Sequence, residues 1–117
     1  MPQNRPQFAL GRLKTGEMNK SEAAYAADLD LQKHAGMILW WKFEGIKLRL
    51  ADNTFYTCDF AVMMADGTME MREVKGFFEE KAKIKIKVAA SLYPFKFVVV
   101  RKKSRSDGGG WSTQEYG

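Results

Sequence analysis

The chain has 117 residues, 45% of them apolar and 28% charged, with a net charge of +5. That length and apolar content suit one domain with a modest core, and they exclude an unfolded chain. A single cysteine excludes an internal disulfide and a cysteine-built zinc site, while the positive balance points to a polyanionic partner.

No apolar run approaches the roughly 18 residues of a membrane span, and the start carries no signal-peptide pattern. A soluble, cytoplasmic protein is therefore expected. Residues 1–18 hold Pro2, Pro6, Gly11 and Gly16 among Arg5, Arg12 and Lys14, which reads as a flexible basic arm. Such an arm either contacts nucleic acid or has no role.

Asn19 opens a helix. Glu22 follows three residues later, as in a capping box, and Gly36 stops the helix after Ala35. Glu22 borders the face that carries Tyr25, Ala26 and Leu29. His34 falls in the last turn, where a positive charge suits the helix dipole, and reads as a surface residue.

Met37 to Glu44 reads as a strand, with Trp40 and Trp41 on opposite faces. One indole belongs to the core; the other either packs in the core as well, the safer expectation, or meets a partner or a base. Ile46 to Leu50 is a second strand or a continuation of the first, with Lys47 and Arg49 turned outward. Residues 51–54 form a turn, and Phe55-Tyr56 leads onward.

Residues 58–76, CDFAVMMADGTMEMREVKG, read as two strands around a tight turn. The register decides which charges meet. A two-residue loop, Asp66-Gly67, pairs Ala65 with Thr68 and turns Asp59 away from Glu73 and Lys75. A three-residue loop, with Gly67 in the left-handed position, pairs Met64 with Thr68 and Asp59 with Glu73. The second register is expected. It sets two carboxylates roughly 5 Å apart between Cβ atoms, with the Lys75 ammonium on the same face.

Two such carboxylates repel and titrate as a coupled pair with one pKa raised, unless a cation joins them. Hard oxygen ligands open to water suit Mg²⁺, with Mn²⁺ as a substitute. A metal there would polarise a phosphodiester and help generate hydroxide, with Lys75 orienting water or offsetting phosphate charge. The other reading is a surface hairpin with a cross-strand ion network. Glu44, on a neighbouring strand, is a further metal candidate.

Residues 79–93 are ambiguous, because Lys81 to Lys87 also alternates like a strand. Length, the early Glu79-Glu80 and Ala89-Ala90 favour a helix ended by Pro94. Ile84, Val88 and Leu92, with Ala89, are expected on its inner face. Lys83 and Lys87 form an outer row flanked by Lys81 and Lys85. Phe95 to Arg101 is a buried strand. Lys102 and Lys103 open a basic, Gly-rich tail over 104–117, in which Trp111 either docks as an edge strand or stays free. From Lys81 to Arg105 there are nine Lys or Arg and no acid, so the positive field is local and any nucleic-acid binding salt-dependent.

Asp59 followed by Glu73-Val74-Lys75-Gly76 resembles the signature of the PD-(D/E)XK nuclease superfamily. The wider stretch 19–101 is similar to a family of small phage and prophage proteins of that superfamily. That stretch is about two thirds of the chain, and within it NKSEAAYA, FEGIKLRLADNTFYTCDF, EVKGF and KIKIKVAASLYPFKFVVV carry the likeness. One departure is Cys58, where the pattern usually has proline; that position shapes the strand and ligates nothing.

The resemblance implies a restriction-endonuclease-like α/β fold: an αβββαβ core over residues 19–103, a mixed sheet flanked by helices. It implies a metal-dependent endodeoxyribonuclease in which Asp59, Glu73, the Val74 carbonyl and Glu22 bind Mg²⁺ and Lys75 positions water. A lysine of the second helix, Lys81 or Lys85, would approach the scissile phosphate, while Lys83, Lys87, Lys102 and Lys103 hold the DNA backbone. The nearest functional analogues by resemblance are endonuclease I-type Holliday-junction resolvases, which work as homodimers on branched DNA. A nicking or end-processing nuclease, a non-catalytic basic DNA-binding protein and a protein-interaction module anchored by Trp40 or Trp41 are the alternatives.

Overall fold

The structure is a computed structural model that describes residues 16–76 and 79–116. Most of the expected N-terminal arm, residues 1–15, lies outside the described residues. The first helix, α1 (Lys20–His34), starts where the capping box places it. The Asn19 side chain accepts from Glu22 N at 2.8 Å, and Glu22 Oε1 accepts from Asn19 N at 2.9 Å. Two orphan donors of the first turn are thus satisfied reciprocally. Asn19→Ala should cost about 1 kcal/mol, measured by urea unfolding.

Among the described residues, seven strands follow. They are β1 (Ile38–Phe43), β2 (Lys47–Ala51), β3 (Thr54–Thr57), β4 (Phe60–Met64), β5 (Met69–Val74), β6 (Lys96–Lys102) and β7 (Trp111–Tyr116), with helix α2 (Glu80–Leu92) between β5 and β6. Five of them form one mixed sheet in the order β1-β4-β5-β6-β7. Neighbours are antiparallel except β5 and β6, which run parallel and are joined across the face by α2. The fold is thus α/β, with two helices on a mixed sheet.

The expected second strand is not part of that sheet. Residues 47–57 form a separate antiparallel hairpin, β2-β3, in which Leu48 pairs with Tyr56. Both side chains are buried, so the hairpin acts as a flap on the sheet.

Alternation sorts the central strands onto two cores. On one face α1 contributes Tyr25, Ala26 and Leu29 to Phe60, Val62, Val74, Val98 and Val100. On the other, α2 and the hairpin contribute Ile86, Ala89, Leu48 and Tyr56 to Cys58, Ala61, Met71, Phe97 and Val99. β6 feeds both, which is why its apolar residues run without interruption. Trp41 packs edge-on against Phe60 and donates to Asp30 at 2.9 Å, while Trp40 stays 40% exposed.

The inner face of α2 differs from the expected one. Ile86 and Ala89 are buried, with Ala82, Ala90 and Tyr93 packed against that core. Ile84 and Leu92 are more than half exposed, and Val88 is exposed too. Small alanines let the helix lie close over the sheet and hairpin, so the bulkier row is left outside. The segment after β6 departs from the expected flexible tail as well. A short 3₁₀ turn, Arg105–Asp107, leads into β7, which pairs with β6 from Phe97↔Tyr116 to Lys102↔Trp111. Trp111 meets Tyr25 edge-on, and that contact favours docking over freedom.

A buried polar group sits on the α1 face. Arg72 is 7% exposed and ion-paired to Glu70 at 3.0 Å, and it donates to the Tyr25 hydroxyl at 2.9 Å and to Gln32 Oε1 at 3.2 Å. Its guanidinium is satisfied within the fold. No helix among the described residues is long and apolar enough to cross a membrane.

Candidate functional site

The hairpin β4-β5 takes the three-residue loop. Phe60 pairs with Arg72 and Ala61 with Met71, and Met64 N donates to Thr68 O at 2.8 Å. Gly67 takes φ 89°, a conformation that costs an L-residue more than glycine. Asp66 Oδ1 accepts from Thr68 N and Oγ1, closing the turn. One step past Phe60 and Arg72 in the same register, Asp59 stands opposite Glu73.

The two carboxylates are tied by backbone as well as by position. Asp59 Oδ2 accepts from Val74 N at 2.8 Å, and Glu73 Oε1 accepts from Asp59 N at 3.1 Å. Glu73 is 7% exposed; Asp59 is half-buried at the end of its strand. The Lys75 ammonium lies 3.3 Å from Glu73 Oε2. Asp59, Glu73 and Lys75 therefore share the face that also carries α2 and the β2-β3 flap.

Burial, and then the charge of Glu73, push the Asp59 carboxyl up from its ordinary value to about 8. The backbone N–H of Val74 and the Lys75 ammonium pull the other way without cancelling that rise. Burial disfavours the Lys75 ammonium, yet Glu73, Asp59 and Glu22 together hold its pKa above the ordinary. The alkaline Asp59 value describes a carboxylate pair short of positive charge.

Tyr56 completes the arrangement, and nothing in its local sequence announces it. Its hydroxyl donates to Glu73 Oε1 at 2.9 Å from the β2-β3 flap. Burial and the nearby Glu73 charge push the phenol well above its ordinary pKa, so it is a fixed donor. Its pairing with Leu48 places it on the buried side of the β2-β3 hairpin, and the docking of that hairpin on the sheet brings it to Glu73, 17 residues away. Tyr56→Phe should keep the packing and cost about 1 kcal/mol, measured by urea unfolding.

Cys58, in the place where proline is usual, is buried. Its thiol donates to Phe60 O at 3.2 Å and lies 3.5 Å from Met71 Sδ. Burial and the neighbouring carboxylates push its pKa up, so it is a small core residue and no nucleophile.

The other candidates separate. Glu22 spends Oε1 on the Asn19 cap, yet its charge is felt at both Asp59 and Lys75. Glu44 donates its backbone N–H to Asp59 O at 2.7 Å but turns its carboxylate to Gly16 N at 3.0 Å. His34 is exposed at the end of α1. Among the described residues, no three of His, Cys, Asp or Glu gather into a cluster able to hold a metal ion. What the structure brings together is the Asp59–Glu73 pair with Lys75.

Some of the basic residues lie toward the same end of the sheet, while Lys85 and Lys87 are further along α2 as it runs back toward Lys96. β5 and β6 are parallel, with Glu73 opposite Val99 and Val74 opposite Val100, so Lys102 and Lys103 follow on the Lys75 side. α2 begins a few residues after Lys75, which brings Lys81 and Lys83 to that end. Lys81, Lys85, Lys87, Lys102 and Lys103 are exposed, Lys83 is half-buried, and Lys85 donates to Phe55 O at 3.1 Å. Among the described residues, a cleft of ≈ 740 Å³ lies between the 65–67 turn and Lys96, and another of ≈ 570 Å³ lies between α1 and β7 around Glu70 and Arg72; neither includes these groups.

The pair fits a hard divalent cation in its chemistry. Asp59 Oδ1 receives no hydrogen bond among the described residues, and both side chains offer oxygen only. Compared with known proteins, the chain matches no protein-family model, no curated protein and no solved structure.

Proposed function

We propose that this protein is a metal-dependent endodeoxyribonuclease of the PD-(D/E)XK kind, selective for branched DNA such as a Holliday junction and working in the cytoplasm. One observation carries the reading: Asp59 and Glu73 face each other across β4 and β5, with the Lys75 ammonium 3.3 Å from Glu73. The order α1, β1, β4, β5, α2, β6 around the β2-β3 insertion supports an αβββαβ nuclease core.

Asp59 and Glu73, with the Val74 carbonyl, would hold Mg²⁺ or Mn²⁺, and Glu22 borders them. The bound metal supplies Lewis-acid polarisation of the phosphodiester and a lowered pKa for water. Lys75 holds a positive charge where phosphate charge develops. Lys81, Lys83, Lys85, Lys87, Lys102 and Lys103 offer cations to the DNA backbone without reading bases.

The test is cleavage of labelled four-way junction, linear duplex and single-stranded DNA in Mg²⁺ or Mn²⁺. Junction cutting that needs the metal and both Asp59 and Lys75 is the expected result. No cutting of any of these DNAs sinks the reading.

A specific observation favours a second reading. Glu73 is closed on both oxygens, by Tyr56 and Asp59 N on one and Lys75 on the other. In a non-catalytic basic DNA-binding protein that network would be structural. Salt-dependent DNA binding without cleavage, undiminished in Asp59→Asn, is its signature.

A further inference from the structure

The β2-β3 flap has two faces. Leu48 and Tyr56 pair across it and are buried on the side of the sheet. Alternation turns Lys47, Arg49 and Phe55 to the other face, and all three are exposed. Phe55 keeps 40% of its surface in solvent. Three cations stand around it. The Lys47 ammonium lies 4.5 Å from the ring centroid. Arg49 is the cross-strand partner of Phe55, and Lys85 reaches from α2 to donate to the Phe55 carbonyl at 3.1 Å. The acid of this hairpin, Asp52, meets Arg49 at 3.8 Å in a pair open to water, which neutralises little. An exposed cation–π pair adds little to folding and leaves the ring available to a ligand.

We propose that the outer face of the flap is a stacking platform for an unpaired nucleobase of a single-stranded nucleic acid. The base lies on the Phe55 ring, and Lys47, Arg49 and Lys85 take the adjoining phosphates. Each nucleotide of a single strand brings both groups this face can hold, a π-surface and a phosphate. An acidic peptide would satisfy the cations but carries no flat ring at every unit to set on Phe55. In a duplex the bases stack on one another, so a ring on the outer face of a hairpin does not reach their faces.

The cations continue beyond the flap. Lys81, one turn before Lys85 on α2, is exposed too, so a strand leaving Phe55 in that direction stays on positive charge. The platform is also joined to the carboxylate pair: Tyr56, the next residue, donates to Glu73 from the inner side of the same strand. Stacking needs neither metal nor cleavage and stands apart from the nuclease reading; that the unpaired base belongs to the branch point of a DNA substrate rests on that reading.

Fluorescence anisotropy of the full chain in EDTA tests the platform with no recourse to activity. The probes are a labelled oligo(dT) of about 12 nucleotides and an abasic strand of equal length and charge, and wild type should bind oligo(dT) about tenfold more tightly. Phe55→Ala should lose that preference and bind the abasic strand as wild type does, while Phe55→Trp should keep it. Phe55→Leu retains bulk without the π-surface; it should behave as Phe55→Ala and serves if the smaller side chain does not fold. Arg49→Ala should weaken both strands alike and make binding less salt-dependent. Equal binding of the two strands by wild type, or binding of neither, overturns the proposal. So does a preference for bases that survives in the folded Phe55→Ala or Phe55→Leu variant. Either failure leaves the cleavage test of the carboxylate pair untouched.

Discussion

Asp59→Asn should abolish Mg²⁺-dependent DNA cleavage and at the same time make the fold more stable at alkaline pH. The loss of activity is expected to be at least about 10²-fold, the scale on which removing one group that stabilises transition-state charge acts. The gain in stability follows from the cost of ionising Asp59. Its folded pKa, about 8, lies above the ordinary carboxylate value, so the folded chain binds a proton the unfolded chain has released. That contribution is fully present below the unfolded value and is lost as pH rises through about 8. Asparagine keeps an oxygen for Val74 N and has no charge to bury. Thermal melts without metal should therefore match at pH 4 and diverge by pH 9, with the variant higher. A variant less stable than wild type at pH 9 would contradict the electrostatic account. Mg²⁺ should raise the wild-type melt at pH 9 more than at pH 6, because the ion competes with that proton.

Phe60→Ala should cost about 3–5 kcal/mol in urea unfolding, a large share of the roughly 5–15 kcal/mol that holds a domain together. Phe60 is fully buried and meets the rings of Phe43, Trp41 and Tyr25 at centroid distances of 5.3, 5.6 and 5.6 Å. It links α1 to β1 and β4 and stands next to Asp59. The cavity left by its removal has rigid walls on three sides, so little of it can collapse. The same variant should lose Mg²⁺ stabilisation, since the strand end that carries Asp59 is held by that ring. A cost below about 1 kcal/mol would show that the ring is not the keystone of the α1 face.

Local physics made parts of this fold legible. The reciprocal cap of α1 needs only residues 19–22, and the turn around Gly67 needs only residues 64–68. From that turn the register follows, and with it the meeting of Asp59 and Glu73. Where two patterns fitted one stretch, tertiary packing decided. On α2, the row Ile84, Val88 and Leu92 is the more apolar, yet Ile86 with its alanines lies inside because the sheet and flap leave room for small side chains. Tyr56 was illegible because its partner Glu73 lies 17 residues away and is reached only through a hairpin outside the main sheet. The burial of Arg72 depends on Tyr25 and Gln32 arriving from α1, which nothing local to β5 announces. β7 took its place through a partner strand rather than through its own pattern.

The central claim is that Asp59 and Glu73 together bind a divalent cation. The most direct measurement is the anomalous difference density of crystals soaked in Mn²⁺ above pH 8. The account predicts one peak bridging the two carboxylates, absent from Asp59→Asn crystals treated in the same way. Density empty at that position, with Glu73 still closed by Tyr56 and Lys75, would contradict it.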